Sequence, residues 1–130
     1  MEKTIETIYQ GQFTSNTACE LNENGVTVNA VHFTPIDLLA SAYSSCLLGT
    51  IDYLASKNGF QVQGTTSQIT YQLDQGGTKV GSMNIKISFA EDYTAEQKEI
   101  ILAATQNCHV GKSLDPAIVK SFEFVYPQGE

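Results

Sequence analysis

The sequence has 130 residues, 42% of them hydrophobic, which predicts one globular domain over residues 1–130 with enough apolar side chains for a core. Its formal net charge of −7 at pH 7 argues against nucleic acid as a partner, because the phosphates would repel the chain. All seven basic residues are lysines, and arginine does not occur.

The chain carries no sign of export or membrane insertion. No signal-peptide pattern occurs around Met1, and no apolar run approaches the ~20 residues that a bilayer span requires. Three cysteines are an odd number, and their spacing differs from that of a disulfide-stapled secreted domain. We therefore expect a cytoplasmic protein with reduced thiols and no membrane partner.

The N-terminal segment predicts a β-meander. Residues 2–10 alternate between apolar and polar side chains, as a half-buried strand does, and residues 12–21 and 26–31 are two further strand candidates. The Asn-Glu-Asn-Gly run at residues 22–25 is typical of a turn between the last two strands.

A long helix is predicted from Thr34 to Gly59. Thr34 suits the N-cap, Pro35 the first helical position and Asp37 the first turn, while Asn58-Gly59 is a typical stop. So little charge over this length predicts a helix buried along most of its extent. The thiol of Cys46, near its middle, is then expected deep in the fold.

The second half predicts a hairpin, two helices and a last strand. Residues 62–73 and 80–89 alternate as strands, with Gly76-Gly77 in the turn between them. The run Thr-Ala-Glu-Gln at residues 94–97 is a capping box that opens a helix ending near residue 107. Residues 108–114 predict a short third helix and residues 118–126 a final strand. This order indicates the α+β class with antiparallel sheets.

The cysteines are the residues most able to carry chemistry. A lone cysteine is most often buried for packing, but Cys108 falls between two helices, where backbone amides can stabilise a thiolate. His109 and Lys112 are close enough in sequence to add positive charge. Cys19 lies on a strand with no activating neighbour, so we predict that it is inert. Cys46 and Cys108 are distant in sequence, and only the fold could bring them together.

Other site types fit the sequence less well. No C-x-x-C or H-x-x-x-H pair suggests zinc, and we predict neither a metal nor a cofactor. A Cys-His hydrolase needs a third group that orients the histidine, and none can be named. His32 fits a loop or strand end better than a catalytic base. Tyr43 and Tyr53, on the Cys46 face of the helix, fit a core.

Two motifs resemble the OsmC/Ohr family of thiol-dependent peroxidases. TPIDLLASAYSSC, at residues 34–46, is similar to the family's helix opening N-P-E-x-L-x-A-A-x-x-x-x-C. NCHVGKSL, at residues 107–114, is similar to the segment where the family has its second cysteine at the start of a helix. The resemblance extends over nearly the whole order of strands and helices.

The resemblance implies an OsmC-like fold, with antiparallel sheets wrapped around a buried central helix in an intertwined homodimer. It implies that Cys46 attacks the peroxide and that Cys108 resolves the sulfenic acid as a disulfide, which an external dithiol reduces. An apolar pocket that includes Leu39 and Tyr43 would favour organic hydroperoxides over hydrogen peroxide.

The sequence departs from the family at the activating groups. Characterised members hold the thiolate with an arginine that is oriented by the glutamate of N-P-E, but this chain has no arginine and has Ile36 at the glutamate position. Lys112 and His109 are the remaining candidates for stabilising a thiolate. We therefore carry two hypotheses: a thiol peroxidase in oxidative stress defence, or a non-catalytic module that binds a small hydrophobic ligand at the dimer interface.

Overall fold

A computed structural model describes residues 2–127. Its helices and strands follow one another in the predicted order, and the chain is of the α+β class. The elements are β1 (Glu6–Gly11), β2 (Thr14–Cys19), β3 (Asn22–Asn29), α1 (Pro35–Lys57), β4 (Thr66–Leu73), β5 (Val80–Ser88), α2 (Ala95–Thr105), α3 (His109–Ser113) and β6 (Val119–Val125). The chain forms two compact units that divide between Ser41 and Ala42, within α1.

The first unit contains the three-stranded antiparallel sheet β1-β2-β3. The predicted turn at residues 22–25 is wrong, because the chain turns at Glu20-Leu21 and β3 already begins at Asn22. Gly25 has a φ of +68°, and a Cβ there would lie 2.2 Å from the carbonyl oxygen of Thr17. Gly25 therefore allows β2 and β3 to lie unusually close together, next to the register shift that follows Thr17.

The second unit contains the sheet β4-β5-β6. The predicted β4–β5 hairpin is confirmed, and both Gly76 and Gly77 adopt the positive φ that its turn requires. The expectation of purely antiparallel sheets fails at β6, which runs parallel to β5. The reason is the connection: α2 and α3 carry the chain back across the sheet before the last strand begins.

The core of the second unit is built from alternate residues of β5 and one face each of α1 and α2. The predicted inward face of β5 is buried, and side chains from both helices complete the core. These residues are Leu47, Ile51, Ala55, Met83, Ile85, Ile87, Ile101 and Ala104. A hydrogen bond of 2.9 Å between the Ser44 and Ser67 hydroxyl groups joins α1 to β4.

Both predicted helix starts are confirmed. The Thr34 hydroxyl accepts a hydrogen bond from the Asp37 amide, and the Asp37 carboxylate accepts one from the Thr34 amide. Thr94 and Gln97 form the same reciprocal box at the start of α2. Each pair satisfies two backbone amides that the helix cannot bond internally.

α1 is less buried in the single chain than its composition predicts. One stripe of the helix is buried, consisting of Ala40, Tyr43, Leu47, Ile51 and Ala55, and much of the opposite face is exposed. By length and composition alone α1 also meets the criterion for a membrane-spanning helix, which corrects our statement that no such run exists. Core helices of soluble proteins meet the same criterion.

Candidate functional site

Cys46 lies on α1 beside the buried stripe. Its side chain is half-buried, so the prediction of a thiol deep in the fold is wrong for the single chain. One turn later, the Thr50 hydroxyl donates a hydrogen bond of 2.8 Å to the Cys46 carbonyl oxygen. The spacing of one helical turn also brings this hydroxyl close to the Cys46 sulphur, where it forms a second interaction.

Cys108 occupies the N-cap of α3 and is buried, with 2% of its surface exposed. α2 ends at Thr105, and the chain turns directly into α3, whose Lys112 amide donates to the Cys108 carbonyl oxygen. The Cys108 thiol hydrogen bonds to the sulphur of Cys46. Both cysteines are free, so the fold brings together two reduced thiols that stand sixty-two positions apart in sequence.

The two thiols have opposite electrostatic environments. Burial raises the pKa of Cys46, but four hydrogen-bond donors outweigh burial and bring this pKa below its ordinary value of 9.0. The donors are the Cys108 thiol, the Val110 amide, the Thr50 hydroxyl and the His109 amide. Burial, together with the hydrogen bond and the charge of Cys46, raises the pKa of Cys108. As the pH rises, Cys46 is therefore the first thiol of the pair to lose its proton, and Cys108 is the one that keeps its proton longer.

The two predicted stabilisers occupy different places. His109 contributes its backbone amide to Cys46, and its side chain lines the cavity beside that residue. Lys112 lines another cavity, on the Cys108 side. The donors that lower the Cys46 pKa are neutral, so among the described residues hydrogen bonds favour the thiolate, and not the charge of Lys112 or His109.

Two residues that sequence reasoning missed, Gly111 and Lys120, hold α3 against Tyr43 of α1. A Cβ added at Gly111 would lie 2.9 Å from the ring of Tyr43, so only glycine allows the two helices this approach. The Lys120 ammonium donates a hydrogen bond of 2.9 Å to the Gly111 carbonyl oxygen and lies 5.7 Å from the centre of the Tyr43 ring. Burial, and then the charges of Cys108 and Cys46, raise the pKa of Tyr43.

A cavity of about 460 Å³ opens beside Cys46. Its walls are mainly apolar and come from α1 and from the start of α3, including Thr50, Tyr53, Leu54 and His109. The resemblance placed Leu39 and Tyr43 in this pocket. Leu39 belongs to the first compact unit, whereas Tyr43 lines the second cavity, on the Cys108 side.

That second cavity has a volume of about 340 Å³ and a different character. It is lined by Tyr43, Gln106, Cys108, Lys112, Lys120 and Phe122, among others. Cys19 and His32 lie in the first compact unit, in β2 and after β3. Within residues 2–127, no three His, Cys, Asp or Glu side chains are grouped as metal ligands.

A stabilised thiolate in hydrogen-bond contact with a neutral thiol is suited to redox chemistry. The thiolate is the nucleophile, and its oxidation to a sulfenic acid leaves a partner thiol in reach for disulfide formation. Fold and site together define an α+β protein with two thiols in contact, of which the one with the lowered pKa lies on a long helix.

The sequence matches the OsmC-like protein family over residues 27–122, and the chain belongs to that family. The resemblance found in the two cysteine motifs is thereby confirmed. No curated protein matches the chain.

Solved structures agree on the fold. A protein from Psychrobacter arcticus 273-4 is 23% identical, with 95% of this chain and 96% of that chain covered and a TM-score of 0.87. An OsmC-like protein from Mycoplasma pneumoniae is 16% identical, with 97% and 99% covered and a TM-score of 0.79. The organic hydroperoxide resistance protein OhrB of Bacillus subtilis is 13% identical, with 95% and 98% covered and a TM-score of 0.67. At these identities the likeness establishes the fold.

Proposed function

We propose that the protein is a thiol peroxidase that reduces organic hydroperoxides, as a defence against oxidative stress. The observation that carries the proposal is the contact between Cys46 and Cys108 together with the donors that favour the Cys46 thiolate. Membership of the OsmC-like family supports it, as do fold relatives that are named organic hydroperoxide resistance proteins.

The proposed reaction has two steps on this chain. The Cys46 thiolate attacks the terminal oxygen of the hydroperoxide, an S–O bond forms, the O–O bond breaks, and the alkoxide leaves as an alcohol after taking a proton from solvent. The Cys108 sulphur then attacks the Cys46 sulfenic acid, water leaves, and a disulfide forms. An external dithiol supplies the two electrons that restore both thiols.

The mainly apolar cavity beside Cys46 supports an organic substrate. Tyr53 and Leu54 offer an apolar surface to an alkyl or aryl group, while the terminal oxygen approaches the sulphur. Hydrogen peroxide has no such group and gains nothing from this surface. Cumene hydroperoxide is therefore expected to react faster with Cys46 than hydrogen peroxide does.

Single-turnover oxidation tests the proposal. Cumene hydroperoxide should convert the reduced protein to a Cys46–Cys108 disulfide, and Cys46→Ser should abolish the reaction. Cys108→Ser should stop at the Cys46 sulfenic acid, which a dimedone probe captures. Cys19→Ser is the matched control and should behave as wild type. If Cys46 reacts with the hydroperoxide no faster than free cysteine does, the peroxidase proposal falls.

The same cavity supports a second candidate, a module that binds a small hydrophobic ligand without chemistry. Its volume of about 460 Å³ lies within the usual range for small-molecule sites. If this candidate is right, an apolar fluorescent probe should bind with equal affinity to wild type and to Cys46→Ser. Added hydroperoxide should then not displace the probe at the rate of a chemical reaction. Rapid formation of the disulfide favours the peroxidase.

We propose in addition that the working form is a homodimer. Six large apolar side chains of the first unit are 57–91% exposed in the single chain. They are Ile5, Ile8, Tyr9, Phe13, Leu21 and Val31. A second copy of the chain would cover this apolar surface. Sedimentation at micromolar concentration should give twice the mass of the chain, and a folded monomer would remove this part of the proposal.

A further inference from the structure

The thiol pair stands between two separate cavities of the second compact unit. Cys46 lines the cavity of about 460 Å³, and Cys108 lines the cavity of about 340 Å³. Neither sulphur-bearing residue lines both. A reagent that enters one cavity therefore meets one particular cysteine of the pair.

The two cavities differ in charge. The cavity beside Cys108 is lined by Lys112 and Lys120, and its lining residues, all within residues 2–127, include neither Asp nor Glu. The cavity beside Cys46 has no lysine among its lining residues, which again belong to the described part of the chain. In a chain with fourteen acidic and seven basic residues, two lysines at one cavity give it a local positive charge, which attracts anions.

The two sulphurs of the disulfide also differ in how readily each is attacked, and the preferred one is again on the lysine-lined side. In thiol–disulfide exchange the sulphur with the lower pKa is the better leaving group. The amides of His109 and Val110 and the Thr50 hydroxyl stabilise Cys46 as it departs as a thiolate. Attack on a Cys46–Cys108 disulfide is therefore favoured at the Cys108 sulphur, which is the sulphur that the lysine-lined cavity meets.

We propose that the cavity lined by Cys108, Lys112 and Lys120 receives the reductant of the disulfide, and that this reductant is a small dithiol with an anionic group. The inference rests on the proposed function, because it requires the Cys46–Cys108 disulfide. The positive charge of the lysines that line this cavity attracts the anionic group, and one thiolate of the same molecule attacks Cys108.

The exchange balances in two steps. A thiolate of the reductant bonds to the Cys108 sulphur, the Cys46–Cys108 bond breaks, and Cys46 leaves as the thiolate. The second thiol of the reductant loses its proton to solvent and attacks its own sulphur in the mixed disulfide. The reductant leaves as a cyclic disulfide, and Cys108 departs as a thiolate that takes a proton.

A matched pair of dithiols tests the charge. The protein is first converted to its disulfide with diamide, so that the test does not depend on peroxide chemistry. It is then reduced with the 1,3-dithiol 3-mercapto-2-(mercaptomethyl)propane-1-sulfonate or with neutral 3-mercapto-2-(mercaptomethyl)propan-1-ol, both of which can close to a five-membered cyclic disulfide. Each rate is divided by the rate at which the same dithiol reduces bis(2-hydroxyethyl) disulfide. We expect the sulfonate to be favoured about threefold at low ionic strength, and the preference to fade as salt screens the lysines.

Two variants that each lose one lysine, at the cavity or away from it, test the role of Lys112. Lys112→Gln should remove most of the preference for the sulfonate, whereas Lys86→Gln, which removes the same charge away from the cavity, should retain it. Reduction by the neutral dithiol should be equal in both variants. Equal preference for the two dithiols in wild type, or a preference unchanged in Lys112→Gln, would overturn the proposal.

The site of attack has its own readout. The monothiol 2-mercaptoethanesulfonate should leave a mixed disulfide on Cys108, in the tryptic peptide of residues 99–112, and not on Cys46, in the peptide of residues 4–57. An adduct mainly on Cys46 contradicts the inference while the peroxidase proposal stands. If diamide produces no Cys46–Cys108 disulfide, both proposals fall together.

Discussion

Gly111 packs so closely against Tyr43 that a methyl group at residue 111 would lie 2.9 Å from Cε1 of the tyrosine ring. On the other side of the same peptide, the Lys120 ammonium is bonded to the Gly111 carbonyl oxygen. The short helix α3 is thus held between α1 and β6. Its first amides, from His109 and Val110, are the ones that reach Cys46. We therefore expect the packing of Gly111 to affect the pKa of a thiol on another helix, Cys46.

Gly111→Ala is expected to make Cys46 less reactive without touching it. The added methyl group must displace either α3 or the Tyr43 ring, which moves the His109 and Val110 amides away from the sulphur. We expect the Cys46 pKa to rise, which lowers the rate of alkylation by iodoacetamide near neutral pH by up to about tenfold. The measurement is the pH profile of Cys46 alkylation, followed by mass spectrometry.

Gly49→Ala is the structural control for this change. Gly49 lies in α1, and a Cβ there would meet nothing within 4 Å, so the variant should be more stable by about 0.5–1 kcal/mol, as is usual when alanine replaces a helical glycine. Denaturant titrations give the free energy of unfolding of Gly49→Ala and Gly111→Ala. A Cys46 profile in Gly111→Ala identical to that of wild type would show that α3 does not set the thiol's pKa.

The fold was predictable where the sequence carries local signals. The capping residues Thr34 and Thr94, and the glycine pair Gly76-Gly77, mark two helix starts and a hairpin that the structure contains. The parallel direction of β6 carries no such signal, because strand alternation is the same in either direction. The turn at Glu20-Leu21 was missed because Gly25 serves a close approach of two strands and not the turn.

The site was predictable in its cysteines and less so in what surrounds them. Amides near Cys108 were expected to stabilise a thiolate there, and the Gly111 and Val110 amides do lower the Cys108 pKa, but burial and Cys46 outweigh them. The Val110 and His109 amides also lower the pKa of Cys46, because the fold places the start of α3 over α1. Thr50 carried a usable signal, since it lies one helical turn after Cys46. Lys120 and Gly111 come into contact only through tertiary packing, and no local sequence pattern around either residue predicts their hydrogen bond.

The pH dependence of the two thiols is expected to separate them. Cys46, with its pKa lowered, should be alkylated below the ordinary value of 9.0, whereas Cys108, with its pKa raised, should require a pH above 9.0. Peptide mapping after brief treatment with iodoacetamide at a series of pH values gives both profiles. Alkylation of Cys108 at a lower pH than Cys46 would reverse the assignment of thiolate and thiol.

The same shift is linked to stability with a definite sign. Because the folded state lowers the Cys46 pKa, its contribution is complete above the unfolded value near 9.0 and is lost as the pH falls through the folded pKa. The difference in unfolding free energy between wild type and Cys46→Ser should therefore increase with pH up to that value. A difference that decreases over this range would mean that burial dominates and that the thiol is neutral when folded.

The core of the second unit should be sensitive to truncation on the inner face of α1. Leu47 is 0% exposed, and Leu47→Ala is expected to lower the free energy of unfolding by about 2–5 kcal/mol. Leu102, on α2, is 48% exposed, and Leu102→Ala should change it by no more than about 0.5 kcal/mol. Equal effects of the two substitutions in a urea titration would contradict the assignment of the α1 stripe to the core.

Thr50 provides the most direct test of activation without arginine. Its hydroxyl interacts with the Cys46 sulphur and donates to the Cys46 carbonyl oxygen at 2.8 Å. The one hydrogen of this hydroxyl is therefore shared between the sulphur and the carbonyl oxygen. Thr50→Val keeps the shape of the side chain and removes this donor. Since a hydrogen bond to a charged group is stronger than one between neutral groups, we expect the Cys46 pKa to rise and oxidation by cumene hydroperoxide near neutral pH to slow about fivefold.

Thr50→Ser retains the hydroxyl and should restore most of the rate. The comparison must be made over a range of pH, because a lost donor predicts a specific pattern: the rates of Thr50→Val and wild type should converge at alkaline pH, where Cys46 is ionised in both proteins. A defect of equal size at every pH would instead indicate a change in the substrate cavity, which Thr50 also lines. A rate for Thr50→Val equal to that of wild type at neutral pH would leave the backbone amides and the Cys108 thiol as the only described donors able to activate Cys46.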